Sequence, residues 1–385
     1  MDTKARADEG GQGLPEPSGP ALPGQVVLVL QGGGALGAYQ GGVYQALHEA
    51  GIEPDWVIGT SIGAINGSII AGNKAADRLS RLRQFWEQVA RRGPFEMTSL
   101  LPGADNRLAD LATVMQGIPN FFVPNPGAWF GLHAQLGVER AGFYSTDPLR
   151  ETLLSLVDFP YLNQTHTRLT VGTVNVCSGQ MHYFTNRDIA LSLEHLMASA
   201  AFPPGFPAVR IEGEAYWDGG ICSNTPLEAV LDDYPRRSSV IFTVQLWPVR
   251  GPEPQTLWDA MGRQRDIQYA SRAETQLARQ RQLHRLRHVI RELAQYIPEP
   301  ERQSAAVKEL LGWGCHTTMH VVELNAPPFG GQDLTKDIDF TASGIEARWS
   351  VGYADATRAI GLAPWRGVMD AIEGIAVHDT ALAPA

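Results

Sequence analysis

Cysteine is scarce in this 385-residue chain, as are long apolar runs and an excess of positive charge. The three cysteines, Cys177, Cys222 and Cys315, lie far apart and lack the paired spacing of a zinc site or of a disulfide framework. We interpret them as buried thiols of a protein in a reducing compartment. The sequence therefore predicts no metal site.

The charge balance is acidic, with a net charge of -10 at pH 7. That sign argues against nucleic acid as a partner and against general attraction to anionic bilayers, although a local basic face stays open. Residues 56–72 carry no charge, but their polar side chains and four glycines disfavour a membrane span. No apolar stretch of the length of a secretory signal precedes Val26, so we expect a cytoplasmic protein that contacts membranes peripherally.

Composition divides the chain into an arm, a main domain and an extension. Residues 1–24 are rich in glycine and proline and predict a disordered arm. Residues 25–250 form the main domain, within which residues 97–143 lack periodicity and predict an inserted cap or lid. Residues 251–385 predict a mostly helical C-terminal extension.

The pattern after the arm alternates between strand and helix. Gln25–Leu30 predicts a buried strand, and Gly37–Ala50 has apolar residues at helical spacing. Asp55–Ile58 predicts a second strand, and a turn over Gly59–Gly63 leads into a helix that ends near Gly72. Such alternation predicts an α/β fold, a three-layer sandwich in which helices cover both faces of a mainly parallel central sheet.

Later segments agree with this fold class. Further strands are predicted at Leu169–Val176, Met181–Thr185, Val240–Leu246 and Thr317–Leu324. Helices are predicted at Leu191–Ala201, Leu257–Tyr296 and Ser343–Ile360, with another that ends near Gly312.

A glycine-rich turn, Gly32-Gly33-Gly34-Ala35-Leu36-Gly37, separates the first strand from the first helix. Backbone amides and a helix dipole at such a place bind anions. A dinucleotide site would need an acidic residue at the end of the second strand, which here ends Val57-Ile58-Gly59. A P-loop would need a lysine at the helix start, and none is present. The turn alone therefore leaves its ligand open.

The second strand ends in Gly59-Thr60-Ser61-Ile62-Gly63. A strained strand-to-helix turn holds a serine hydroxyl exposed for attack on a carbonyl, and small flanking glycines allow that turn. The alternative is a turn of small residues that only lets helix and sheet pack closely. The position between strand and helix favours a nucleophile elbow.

A third motif, Asp218-Gly219-Gly220, lies far along the chain. Alone, an acidic residue followed by two glycines is usually a tight turn. In the order glycine-rich turn, elbow and Asp-Gly-Gly, however, the three motifs resemble those of the patatin-like phospholipases. The resemblance extends from Val26 to Thr225 and is specific as a set.

The resemblance implies a serine acyl-ester hydrolase that acts on lipid esters without a metal or other cofactor. Ser61 would be the nucleophile and Asp218 the general base of a two-residue dyad. The implied oxyanion hole consists of Gly33 and Gly34, extended by Gly32 and Gly37. Gly59 and Gly63 would shape the elbow, and Gly219 and Gly220 would complete the acidic motif. Leu36 departs from the family, in which a basic residue is common there, and this favours neutral esters.

Two other functions stay open at this stage. A Ser-His-Asp esterase of the α/β-hydrolase type could use His284, His288, His316 or His320, which all follow Asp218. In that fold more strands precede the serine than the two found here. A catalytically idle protein that binds an acyl lipid is the second alternative, although lipid binding requires no elbow serine. The sequence does not indicate the oligomeric state.

Two weaker patterns also have alternative readings. The arginine-rich stretch from Arg263 to Arg291 could face anionic lipids, but its interleaved acidic residues favour a solvated face. Aromatic residues of the predicted cap could form an acyl channel or an interface, or could simply pack beneath a long loop. These residues are Phe121, Phe122, Trp129 and Phe130.

Overall fold

The computed structural model of the protein describes residues 22–91, 113–328, 334–370 and 372–380, with the side chains of residues 271–273 left aside. Residues 1–21 of the predicted arm and residues 97–112 of the predicted cap lie outside the described residues.

Eleven strands are found in the described part of the chain. They are β1 (Gln25–Leu30), β2 (Trp56–Gly59), β3 (Val123–Pro124), β4 (Tyr144–Ser145), β5 (Arg168–Asn175), β6 (Met181–Thr185), β7 (Val209–Ile211), β8 (Glu214–Asp218), β9 (Ser239–Gln245), β10 (Met319–Asn325) and β11 (Ile375–Asp379).

The helices of the described residues lie between these strands along the chain. They are α1 (Ala38–Glu49), α2 (Ile62–Ala71), α3 (Ala75–Val89), α4 (Asp147–Leu156), α5 (Phe159–Leu162), α6 (Leu193–Ser199), α7 (Glu228–Leu231), α8 (Leu257–Ala294), α9 (Glu299–Arg302), α10 (Ala305–Leu311) and α11 (Ala342–Leu362). Short 3-10 turns occur at Gly34–Gly37, Pro126–Phe130, Gly219–Ile221 and Pro364–Arg366.

One mixed sheet of nine strands organises the described residues, in the order β11-β10-β9-β1-β2-β5-β8-β7, with β6 also paired to β5. In this spatial order, the six neighbouring strands β11, β10, β9, β1, β2 and β5 pair in parallel. β6, β7 and β8 add antiparallel pairs at the β5 end of the sheet. β1 lies in the middle and is apolar and buried from Val26 onward, as expected of a parallel strand covered on both faces. The predicted mainly parallel α/β fold is confirmed.

The register brings three chain segments to one end of the sheet. Leu30, the last residue of β1, pairs with Gly59, the last residue of β2. β2 pairs with β5 as far as Val171, and β8 pairs with the residues that follow, so that Asp218 lies opposite Thr173. The turns after β1 and β2 therefore meet Asp218 where β2 stops. Ligand sites of parallel sheets commonly lie outside these carboxyl ends.

The C-terminal segment is joined closely to this sheet. β10 and β11 extend it beyond β9, and α11 packs on α1. A Cβ at Gly42 would lie 1.9 Å from the Trp349 carbonyl oxygen, and one at Gly352 would lie 2.1 Å from the Tyr39 carbonyl oxygen. Glycine therefore lets the two helix backbones touch. The predicted C-terminal helices are present, and the boundary at residue 250 stays a prediction.

Some predicted features differ from the structure. β7, β8 and β11 are strands that the sequence pattern did not predict. The cysteines are not uniformly buried, because Cys177 is exposed and Cys222 is partly exposed, whereas Cys315 is buried. None of the described helices combines the length and apolar character needed to cross a membrane.

Candidate active site

Ser61 lies on a strained turn between β2 and α2. Its φ of 57° and ψ of -126° fall outside the usual range for residues with a side chain, and such strain is typical of a nucleophile elbow. A Cβ at Gly63 would lie 2.2 Å from the Leu30 carbonyl oxygen, so only glycine permits this turn. The Ser61 amide donates to the Ser199 carbonyl at 3.0 Å, which ties the elbow to the end of α6.

Asp218 is fully buried at the end of β8. Its Oδ1 accepts a 2.7 Å hydrogen bond from the Gly220 amide, whereas Oδ2 has no hydrogen-bond partner among the described residues. Burial raises the pKa of Asp218 to about 7, and interactions with the Ser61 hydroxyl and the Gly220 amide lower this pKa by less. Ser61 is thus close enough to affect the Asp218 carboxyl, without a well-aligned hydrogen bond between them. Catalytic hydrogen bonds are often long before substrate binds.

The glycine-rich turn after β1 presents two amides. Gly34 has a φ of 55°, which glycine adopts without strain. Among the described residues, the amides of Gly33 and Gly34 have no hydrogen-bond acceptor, whereas the Ala35 amide donates to the Asp337 carbonyl at 2.8 Å. Both glycines line the cavity that contains Ser61. Gly33 and Gly34 can therefore donate to an anion beside Ser61.

Gly32 and Gly37 have other contacts, and their predicted place in the oxyanion hole stays a prediction. The Gly32 amide already donates to the Asn224 carbonyl at 3.1 Å. Gly37 lies at the far end of the turn, where an added Cβ would lie 2.6 Å from the Ile62 side chain. Gly32 anchors the turn, and Gly37 allows close packing.

Asn224, which sequence reasoning missed, holds Gly32 in place. Its Nδ2 donates to the Gly32 carbonyl at 3.0 Å, and Trp247 Nε1 donates to the same oxygen at 2.8 Å. The Asn224 Oδ1 lies close to both glycine-containing segments. A Cβ added at Gly32 would lie 2.3 Å from this oxygen, and one added at Gly220 would lie 2.9 Å from it. Asn224 therefore connects the turn after β1 to the Asp-Gly-Gly motif. In the sequence, the only indication of this role was that Asn224 lies six residues after Asp218.

The three motifs open into one cavity of about 300 Å³. Ser61 and Asp218 both line it, and much of its wall is aromatic. The aromatic lining consists of Phe121, Phe122, Tyr144, Phe202, Phe206, Trp247, Tyr269 and Phe340. Phe121 and Phe122 are buried and pack against other rings, so they take part in both packing and lining. Trp129 and Phe130 are instead 85% and 82% exposed.

Comparisons with known proteins agree with the three motifs. A family model described as patatin-like phospholipase matches residues 28–231, which is more than half of the chain. The chain belongs to the patatin-like phospholipase family. A second model, described as patatin phospholipase, matches residues 267–371.

Curated relatives match the chain over short stretches. The sequence is 41% identical to human (Homo sapiens) patatin-like phospholipase domain-containing protein 6 over 76 residues, which cover 20% of this chain and 5% of that protein. It is 61% identical to lysophospholipase nte1 of Aspergillus terreus over 46 residues, which cover 12% of this chain and 3% of that protein. The matches thus span only about a twentieth of these relatives or less. Among solved structures, VipD from Legionella pneumophila matches with a TM-score of 0.40 and 16% identity, over 88% of this chain and 67% of that chain.

The C-terminal segment supplies another wall of the patatin-like cavity. Arg265 from α8 forms an ion pair with Asp337, donates to the Leu334 carbonyl at 2.7 Å, and lies over the Trp247 ring. The Asp337 carbonyl accepts the Ala35 amide and so holds the turn that presents Gly33 and Gly34. None of these cavity residues was predicted from the sequence, because they carry no local motif.

The histidines considered for a catalytic triad do not face Ser61. Among the described residues, no histidine lines the cavity. Burial, together with Arg287, His288 and Arg236, lowers the pKa of His284 to about 4. The described cavity that contains Ser61 is therefore lined by two carboxyl groups, those of Asp218 and Asp337, and by no described histidine.

Proposed function

We propose that this patatin-like chain hydrolyses carboxylic esters of acyl lipids, with Ser61 as nucleophile and Asp218 as general base. The main support is that a strained serine and a fully buried carboxyl with a raised pKa line the same apolar cavity. A purely structural aspartate would normally have all its oxygens hydrogen-bonded when buried.

The raised pKa suits Asp218 to general base catalysis. A base works best when its pKa lies near the operating pH, and burial brings the pKa of Asp218 to about 7. As the Ser61 oxygen attacks the ester carbonyl, its proton moves to Asp218. When the tetrahedral intermediate collapses, the carbon–oxygen bond to the leaving alcohol breaks and Asp218 returns the proton to that oxygen. Water then hydrolyses the acyl-enzyme by the same steps and restores Ser61.

The turn after β1 would stabilise the negative charge of the intermediate. The Gly33 and Gly34 amides have no other acceptor among the described residues and face the cavity beside Ser61. Backbone donors that are already in place contribute roughly 3 kcal/mol each to transition-state stabilisation. Asn224 and Asp337 fix both sides of this turn, so the donors need not reorganise during the reaction.

The shape and charge of the cavity favour substrates with a single acyl chain and an uncharged or weakly charged head group. The aromatic wall suits an acyl chain. Leu36 is buried and stands where the family resemblance implies a basic residue, so this position supplies no cation. Arg265 is the cation that lines the described cavity, and Asp337 already neutralises it. Monoglycerides, lysophospholipids and short polyester fragments all present the required carbonyl, and among them monoglycerides also have an uncharged head group.

Transient membrane contact through the cap also belongs to this proposal. Trp129, Phe130 and Leu132 are each more than 80% exposed, and they belong to the same cap segment as the cavity residues Phe121 and Phe122. Exposed apolar side chains clustered near a ligand cavity are typical of an interaction surface.

Ester turnover by the wild type and the Ser61→Ala variant tests the proposal. We expect the wild type to release p-nitrophenol from a series of p-nitrophenyl esters, and we expect Ser61→Ala to be inactive while remaining folded. Ser178→Ala is a matched control, because Ser178 is exposed and does not line the cavity. A folded wild type that binds fatty acid but hydrolyses no ester would favour an idle lipid-binding protein instead.

A further inference from the structure

Two histidines and a cysteine meet in the interior, away from the proposed active site. His284 and His288 lie one helical turn apart on α8, and Cys315 belongs to the segment that leads into β10. One potential ligand atom from each lies within 4.8 Å of the others. None of the three lines the cavity around Ser61.

The His284 side chain has no hydrogen-bonding explanation for its position. It is fully buried, and neither ring nitrogen has a hydrogen-bond partner among the described residues. Buried polar groups of this kind are rare, and a missing ligand is one explanation for them. His288 and Cys315 are also buried, with relative exposures of 6% and 8%.

Thr317 holds the other two side chains in orientations that suit metal binding. Its carbonyl oxygen lies 3.0 Å from His288 Nε2 and so accepts a hydrogen bond from that nitrogen. A backbone carbonyl commonly fixes a metal-binding histidine in this way. The Thr317 amide donates to Cys315 Sγ at 3.4 Å, and the Thr317 hydroxyl lies 2.8 Å from the same sulfur. These two contacts fix the position of the Cys315 sulfur.

The segment before β11 packs directly against the two imidazoles. Gly374 has a φ of 61°, and a Cβ there would lie 2.8 Å from His288 Nε2 and 3.4 Å from His284 Nδ1. Only glycine therefore allows the chain to pass so closely. The cluster connects α8, the start of β10 and the start of β11, which are distant in sequence.

The ligand atoms, rather than the surrounding charges, indicate which metal the cluster would bind. Arg236 and Arg287 lie near enough to His284 to oppose any positive charge there, so only a metal with strong bonds to its ligands would be held. Mg²⁺ prefers oxygen ligands, which the three side chains do not offer. A Cys315 thiolate would offset part of a dication's charge. Two imidazoles and one thiolate are ligands typical of Zn²⁺, with a fourth tetrahedral position left for another ligand.

We propose that His284, His288 and Cys315 bind a Zn²⁺-class ion that fastens α8 to the edge of the central sheet. The site is independent of ester hydrolysis at Ser61. It also replaces the expectation from sequence that the cysteines serve no metal, because the spacing of cysteines along the chain does not show which histidines meet them in space.

Metal content of the full-length chain tests this proposal directly. The protein is expressed without a polyhistidine tag, incubated with Zn²⁺ and dialysed. Its zinc content per chain is then measured by inductively coupled plasma mass spectrometry. We expect about one ion per chain in the wild type, as for a single site. Substitutions of residues that only contact a metal ligand typically lower metal affinity roughly 10- to 100-fold. Cys315→Ser and His284→Gln remove a ligand itself, so each should lower Zn²⁺ affinity by more than that. Cys177→Ser and Ser61→Ala should retain the metal.

Cobalt spectroscopy of the wild type keeps the test decisive even if the variants fail to fold. Co²⁺ bound to Cys315 should give a sulfur-to-metal charge-transfer band, and Zn²⁺ should protect Cys315 from alkylation while the exposed Cys177 still reacts. We also expect a chelator to lower the melting temperature and added Zn²⁺ to restore it. A folded wild type without bound metal, without the band and without protection of Cys315 would overturn the proposal. Equal metal binding by a folded Cys315→Ser variant would do the same.

Discussion

The cavity of this patatin-like protein has two walls that differ in how the chain builds them. The motif wall consists of Gly33, Gly34, Ser61 and Asp218, and each lies in a short glycine-containing segment. The contact wall consists of Trp247, Arg265, Tyr269 and Asp337, which come from three parts of the C-terminal half: the residues after β9, the helix α8 and the residues before α11. Residues that need a special backbone conformation thus leave a local pattern in the sequence. Residues that act through long-range contacts leave none.

Replacing Asp218 by asparagine should have the largest effect on the motif wall. Without a base, kcat for ester hydrolysis should fall roughly 10⁴-fold, as in serine hydrolases whose charge partner is neutralised.

In the wild type, kcat/KM should rise with pH and reach a plateau above about pH 7, because only the ionised Asp218 accepts a proton. Initial rates between pH 5 and pH 9 measure both effects. Asp188→Asn is the control, since Asp188 is exposed and outside the cavity.

Asp218→Asn, which should lower activity, should raise stability relative to the wild type near neutral pH. Between the ordinary aspartate pKa of 3.8 and the folded-state pKa of about 7, only the folded protein keeps a proton on Asp218. Wild-type stability should therefore fall as pH rises through this window, by up to about 4 kcal/mol relative to Asp218→Asn. Urea unfolding at pH 5 and pH 8 covers the upper part of this window and should show a difference of about 3 kcal/mol. An equal change in both proteins would show that Asp218 ionises in the folded state as it does in water.

On the contact wall, Asp337→Ala should have a smaller effect that falls mainly on kcat. The substitution removes the ion pair with Arg265 and loosens the segment whose carbonyl holds the Ala35 amide. Misplaced oxyanion donors at Gly33 and Gly34 would then reduce kcat by about tenfold, which corresponds to roughly 1.4 kcal/mol. Steady-state kinetics on a neutral ester measures it. Glu346→Ala, which removes an exposed ion pair with Arg83, should leave kcat unchanged.

The smallest effect on soluble esters should come from the cap. Replacing Trp129 and Phe130 by serine removes exposed apolar surface and should change turnover of a short soluble ester by less than about twofold, because surface substitutions rarely disturb the fold. Binding to neutral phospholipid vesicles, followed by flotation, should weaken several-fold. Unchanged vesicle binding would contradict the proposed membrane contact through the cap. It would not bear on the proposed roles of the two cavity walls.

The same distinction explains what the sequence could predict. β1, β2 and the turns after them were predictable because a buried apolar strand followed by glycines has few alternative structures. β8 and β11 were not, since each has only three apolar residues and neither belongs to a strand–helix alternation like that at the start of the fold. Asn224 and Asp337 depend on contacts to Gly32 and Ala35 that form only after the sheet assembles.

The roles of Ser61 and Asp218 are the central claim, and covalent labelling tests them most directly. Wild type and Asp218→Asn are incubated with a fluorophosphonate, and the modified peptide is identified by mass spectrometry. We predict that the wild type is labelled at Ser61 alone and that Asp218→Asn reacts far more slowly while remaining folded. Labelling at another serine, or equal labelling rates in the two proteins, would contradict the Ser61–Asp218 dyad.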